Sequence, residues 1–320
     1  MSKYKIKREF FPFTHFRAPI NKPFLKLAAA FMKPPKFIYR DKELKTVKHK
    51  VKSFDGFLLD TFVISPIHIS ESSPALIYIH GGGFVMEAAG CHYRNAMRYA
   101  KEVGCKVIFV TYRLAPDYPH PIFFEDCYAT VCWAYDNADA LGIDRERIGI
   151  GGDSAGSALS VGTCLMARDR NHPIRFVFQM LPYPFLDARN NSDSCKRFTD
   201  TPMWNSTLSS KIAPMTRADR ARPDYIYYSP VEAESLEGLP PAYIETAEFD
   251  CLHDDGILYA ARLRSEGIEV DLNETAGTMH GFDVMRKAPT SLAAVAARID
   301  YMKKKYNKTK ITELNPDENK

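Results

Sequence analysis

The sequence predicts an α/β fold in which a mostly parallel β-sheet carries helices on both faces. Short apolar runs alternate with longer helical patterns through the middle of the chain. Each interval is long enough for a helical crossover, which returns the chain to a parallel neighbour. Loops bearing glycine, serine, aspartate and histidine follow several of these runs, and in such sheets chemistry gathers at the carboxyl ends of the strands.

The first element is TVKHKVKSFDGFLLDTFVI (46–64), two extended runs around Asp55-Gly56, a strong hairpin signal. Strand PALIYI (74–79), helix HYRNAMRYAKEVG (92–104) and strand KVIFVTYRL (106–114) come next. A long helix over 123–142 is expected to end at Gly142, before strand RIGIGG (147–152). Helix SALSVGTCLMARDR (157–170) then leads to strand IRFVFQML (174–181). After an irregular stretch the alternation resumes with strand AYIETAEF (242–249), helix DDGILYAARLRSEG (254–267) and strand EVDLNET (269–275). An amphipathic helix over about 291–306 closes the pattern, and the polar end KKKYNKTKITELNPDENK (303–320) is expected to fray.

At 320 residues, with 45% hydrophobic and 26% charged content, the composition is that of a soluble globular enzyme with a substantial core. The most apolar stretch near the start, FLKLAAAFM (24–32), is short and broken by Lys26, so neither a membrane span nor a signal peptide is expected. Seven scattered cysteines without a CxxC pair fit individual thiols in a reducing compartment, and a cytoplasmic location is expected. Charge is uneven. Residues 1–50 hold fourteen Lys/Arg against three Asp/Glu, or +11, which leaves −7 for the rest of a chain whose net charge is +4. This basic arm lacks any nucleic-acid-binding motif, so no nucleic-acid partner is expected. Recruitment to an anionic membrane surface is a secondary reading of the same charge. Its phenylalanines, among them Phe10, Phe11, Phe13 and Phe16, suit a segment that packs on the domain better than a disordered tail.

Three loops carry the chemistry. Gly152-Asp153-Ser154-Ala155-Gly156 joins a strand to a helix, and glycines on either side of a serine permit a turn that lifts its hydroxyl clear of the sheet. Two other readings fit these residues: a helix start that Ser154 merely caps, and a dinucleotide loop beginning at Gly149 and Gly151. The loop His80-Gly81-Gly82-Gly83 spends three costly glycines behind a core strand. Attack on an ester creates an oxyanion that needs preorganised backbone N–H groups, and glycines supply them without crowding the acyl group. A phosphate cradle is the competing reading, though no GxxxxGK follows. Finally, Asp250 follows a strand and His280 lies past the last one, so Ser154, Asp250 and His280 occur in the order of a serine-hydrolase triad. Asp254 and Asp255 compete with Asp250 but suit helix capping, and His253 is too near Asp250 to come from a separate loop.

The motifs HGGGF, YRLAP (112–116), GDSAG, AEFDCLHDDG (247–256) and HGF (280–282) together resemble the hormone-sensitive-lipase-like branch of the α/β-hydrolases, which includes bacterial esterases. The resemblance runs from about residue 45 to 306. It implies an α/β-hydrolase core over 45–186 and 227–306, a helical cap from 1–44 and 187–226, and a tail over 307–320. It also implies Ser154 as nucleophile, His280 as general base and acid, and Asp250 as the orienting carboxylate. The oxyanion hole would come from the N–H groups of Gly82, Gly83 and Ala155, while His80 would hold the glycine loop and transfer no proton. Cys251 stands where the family often has proline after the acid. The implied activity is hydrolysis of short- to medium-chain carboxylic esters through an acyl-serine, with a small-molecule ester as partner. Neither metal nor organic cofactor is expected, because HExxH and paired Cys/His spacings are missing from the sequence. A small-molecule receptor on the same fold and an amidase using the same triad are the alternatives. The final helix suits either pairing of subunits or packing on its own sheet, so a homodimer stays open.

Overall fold

The computed structural model describes residues 3–14 and 34–314. Its strands are β1 (Leu44–Lys52), β2 (Leu58–Pro66), β3 (Ser73–Ile79), β4 (Lys106–Val110), β5 (Ile143–Gly152), β6 (Phe176–Pro182), β7 (Ala242–Phe249) and β8 (Val270–Met279). They form one sheet in the order β1-β2-β4-β3-β5-β6-β7-β8. β2 runs antiparallel to β1 and β4, and every other pairing is parallel. The hairpin at Asp55-Gly56 and the parallel core are both as the sequence leads one to expect. Edge strand β1 exposes Lys45, Lys48 and Lys52, charges that discourage pairing with another chain.

The helices are α1 (Gly90–Tyr99), α2 (Ile122–Asp136), α3 (Ala138–Leu141), α4 (Ala155–Asp169), α5 (Asp193–Arg197), α6 (Ser206–Thr216), α7 (Tyr225–Tyr228), α8 (His253–Ser265) and α9 (Pro289–Leu314). Period-two alternation along β3 sorts the core into two layers. Ile77 and Ile79 join Phe123 and Val131 of α2, Leu159 and Leu165 of α4, and Leu263 of α8. Leu76 and Tyr78 point the other way, to Tyr99 of α1 and Ile299 and Met302 of α9. Helix α4 is buried from Ala155 to Ala167, which is why its sequence is apolar or small all round rather than striped.

Strand β4 stops at Val110 rather than at 114, strand β8 runs on to Met279 rather than 275, and two helices differ more. The helix expected over 123–142 is broken at Asn137, whose side-chain amide donates to the Trp133 carbonyl at 2.8 Å and competes with continuation of the helix. The last helix runs on to Leu314 instead of ending near 306. Tyr306 anchors it, buried and donating its hydroxyl to the Ala75 carbonyl at 2.7 Å, and no glycine or proline interrupts the chain before Pro316.

At the other terminus, residues 3–14 pack across the carboxyl ends of the last strands. Ile6 and Phe10 are buried with Tyr183, Met279 and Phe282, and the Lys7 N–H donates to the Gly277 carbonyl at 2.9 Å. The stretch FLKLAAAFM (24–32), Phe16 and the rest of residues 15–33 lie outside the described residues. Among the described residues, no helix is long and apolar enough to cross a membrane.

Candidate active site

Ser154 occupies the turn between β5 and α4 with φ 57° and ψ −120°. That left-handed conformation is rare outside glycine and costs about 1–3 kcal/mol. Gly152 and Gly156 make room for the turn: a Cβ on either would sit 2.1 Å from the Ile79 carbonyl oxygen. The Ser154 N–H donates to the Pro182 carbonyl at 3.0 Å and the Ser157 hydroxyl to the Gly152 carbonyl at 2.6 Å, so both arms of the turn are tied down.

β7 and β8 bring the other two groups to the same end of the sheet. The Ser154 hydroxyl lies 2.8 Å from His280 Nε2, and His280 Nδ1 lies 2.6 Å from Asp250 Oδ2. Asp250 is fully buried, and its other oxygen accepts the Leu252 N–H at 3.0 Å. A carboxylate at Nδ1 holds the proton there and leaves the Nε2 lone pair facing the serine. All three predicted residues meet in one hydrogen-bonded chain.

The glycine loop follows β3 and runs alongside. A Cβ on Gly81 would fall 2.5 Å from Asp153 Oδ2 and 3.2 Å from Ser154 Cβ, so a side chain there would collide with the serine turn. Gly82 and Gly83 have φ of 114° and 62°, and the Gly82 carbonyl accepts the N–H groups of Val85 and Met86. Among the described residues, no acceptor takes the N–H of Gly82, Gly83 or Ala155. Those donors stay available beside the serine.

His80 anchors this loop from below. It is fully buried, donates Nδ1–H to the Gly81 carbonyl at 2.7 Å, and stacks on Tyr112 at 4.5 Å between ring centroids. Burial, with a smaller contribution from neighbouring His92, lowers its pKa to about 3, so the ring is neutral. Asp153 accepts the Tyr78 hydroxyl at 2.7 Å and lies 3.2 Å from His92 Nε2. His92 Nδ1 accepts the Ala89 N–H, which leaves the Nε2 proton for Asp153.

The competing residues have other duties. His253 faces Asp254 and Glu274. Asp254 accepts the Ser194 N–H at 2.7 Å, at the start of α5, so it satisfies the end of a neighbouring helix rather than its own. Asp255 accepts the N–H groups of Leu186 and Asp187, and burial pushes its carboxyl well above the usual range. Gly149 and Gly151 lie inside β5, not in a loop that could wrap a phosphate.

Ser154 opens onto a small pocket whose apolar walls include Phe84, Phe185, Trp204, Ile212, Tyr228 and Leu252. Sequence reasoning did not identify these walls. The one available signal was Trp204, one of two tryptophans in the chain, set in the polar stretch TDTPMWNSTLSS.

A family model described as alpha/beta hydrolase fold matches residues 76–284. Carboxylesterase NlhH of Mycobacterium tuberculosis is 33% identical over 243 residues, spanning 74% of this chain and 75% of that protein. An arylesterase of Saccharolobus solfataricus is 30% identical over 275 residues, 85% of each chain. The solved structure named Bacterial Heroin Esterase shares 29% identity and a TM-score of 0.83, covering 94% of this chain and 98% of that one. Motif order, sheet topology and these likenesses agree: the chain belongs to the α/β-hydrolase family, in its hormone-sensitive-lipase-like branch.

Proposed function

We propose that the protein is a serine carboxylesterase acting on short- to medium-chain acyl esters. The observation that carries this is the hydrogen-bonded chain from Ser154 Oγ through His280 to buried Asp250. In the first half-reaction, His280 Nε2 takes the Ser154 proton as Oγ attacks the ester carbonyl carbon. The N–H groups of Gly82, Gly83 and Ala155 receive the oxyanion, and the start of helix α4 adds its positive dipole end. The intermediate collapses to an acyl-Ser154 as His280 returns the proton to the leaving alcohol. Water, deprotonated by the same nitrogen, then attacks the acyl carbon; the bond to Oγ breaks, His280 returns the proton to Ser154 Oγ, and the carboxylic acid leaves. Asp250 holds the tautomer and stabilises the imidazolium throughout. No step calls for a metal or an organic cofactor.

The pocket supports the substrate range, being small and mostly apolar. The names of the relatives above support the ester class. We assign the cap to 1–44 and 187–226, since Asn190, Trp204 and Ile212 of the second segment line the pocket and Lys3 and Tyr4 of the first touch Asp200 and Phe198 of the second. A reducing compartment such as the cytoplasm fits seven cysteines that are all unpaired.

Initial rates on p-nitrophenyl esters from acetyl to palmitoyl, for wild type and Ser154→Ala, test this reading. Activity greatest on the shorter chains and abolished by the substitution is expected. A folded wild type inactive at every length would overturn the esterase assignment, and full activity in Ser154→Ala would overturn the nucleophile.

A further inference from the structure

The site holds one residue whose position exceeds what a lining side chain needs. Trp204 belongs to the 187–226 segment, just ahead of α6, where Asn205 caps the helix by accepting the Leu208 N–H at 3.0 Å. Its indole N–H donates to the Ser209 hydroxyl on α6 at 2.9 Å, and its carbonyl accepts the Thr201 hydroxyl at 2.8 Å. Both ends of the residue are therefore fixed to the cap. The far edge of the indole presses on the glycine loop: a Cβ on Gly83 would fall 2.6 Å from the Trp204 ring. The indole also lies 5.9 Å from the His280 ring, tilted by 37°.

These contacts place Trp204 between the glycine loop and the His280 ring. The pocket is lined by Gly83, Ala155 and Trp204 on the oxyanion side of Ser154, and His280 is not among its lining residues. A leaving alcohol must collect its proton from His280 Nε2, so it belongs on the histidine side. The pocket then receives the acyl chain, and the indole is the wall between acyl chain and base. We propose that Trp204 is the specificity-determining residue that sets the acyl-chain length limit of this enzyme, a proposal that rests on the esterase reading above. Removing the indole extends the pocket toward His280 and lets a longer chain pass where the wall stood. Its hydrogen bond to Ser209 keeps the wall from swinging aside in the wild type, because an ordered donor that moved would leave its partner behind.

The test is the ratio of kcat/KM across p-nitrophenyl acetate, butyrate, hexanoate, octanoate and decanoate for wild type, Trp204→Ala and Trp204→Phe, with folding checked by near-UV circular dichroism and thermal melts. Each methylene newly buried is worth roughly fourfold in kcat/KM. Trp204→Ala should raise the octanoate-to-acetate ratio at least tenfold over wild type, and Trp204→Phe should shift it in the same direction by less. Ser209→Ala, which releases the indole but keeps it, should broaden the chain-length profile without moving its peak as far. A folded Trp204→Ala that loses rate equally on all esters, with the wild-type order of preference, would overturn the proposal. If Trp204→Ala does not fold, an unchanged ratio in folded Trp204→Phe would do the same. A folded wild type inactive on every ester would instead sink the esterase reading, and this proposal with it.

Discussion

His80 makes the glycine loop sensitive to acid. Its ring is fully buried, stacked on Tyr112, and 5.7 Å from His92, and among the described residues Nε2 has no hydrogen-bond partner. Protonating it would place an uncompensated charge in the core. In the unfolded chain the imidazole titrates near its ordinary value of 6.5; in the folded protein burial lowers it to about 3. The folded state thus favours the neutral ring, and the associated stability is fully present above pH 6.5. It declines by about 1.4 kcal/mol per pH unit as pH falls towards 3, for a total of about 5 kcal/mol. Other groups also titrate over this range, so the informative quantity is the difference between wild type and His80→Asn, whose amide can keep the Nδ1-type donor to the Gly81 carbonyl. Urea unfolding of both proteins at pH 7, 6, 5 and 4 measures it. The variant should be less stable at pH 7, because it loses the stacked ring, and the gap should narrow by roughly 3 kcal/mol at pH 4. A gap that stays constant from pH 7 to pH 4 would show that His80 does not resist protonation in the folded state, and the argument would fail.

Two further substitutions test other parts of the fold and site. Asp250→Asn should leave the backbone bond to Leu252 in place but present an amide N–H to His280 Nδ1, forcing the wrong tautomer. A kcat loss on the order of 10⁴ with little change in KM is expected from steady-state rates. Arg113, the buried arginine of YRLAP, pairs with fully buried Asp126 at 2.7 Å and with Asp55 at 2.6 Å. Arg113→Met strands Asp126 and should cost about 3–5 kcal/mol in urea unfolding, whereas Arg113→Met combined with Asp126→Leu should recover much of that loss.

What the sequence disclosed follows from how local each constraint is. The Ser154 turn is written in five adjacent residues because its glycines answer to one close approach, the carbonyl of Ile79. The strands were legible because each parallel strand must feed two layers at once and so reads as a continuous apolar run, as β3 does. Choosing Asp250 over Asp254 and Asp255 was harder: all three stand near the same strand end, and only the folded chain shows the latter two holding backbone N–H groups of 186, 187 and 194. The pocket walls were beyond reach, since the 187–226 segment carries no periodicity and Trp204 is placed by a bond to Ser209 and by the glycine loop 121 positions earlier.

The buried charges show the limit most clearly. Arg298 lies in a helix whose pattern reads as ordinary, yet it is 1% exposed and joins Glu245 of β7 to Asp283, just past His280. Asp283 also accepts the Tyr183 hydroxyl at 2.7 Å, and the Tyr183 ring packs edge-on against His280 at 5.0 Å. Each of these residues alone reads as a solvated charge or a core aromatic. Only the fold brings them together beneath the histidine. Desolvating so many ionised groups is unfavourable unless every one is paired, so the arrangement holds the His280 loop in one position or destabilises the fold. A site whose chemistry is legible in five motifs is therefore positioned by side chains that no motif contains.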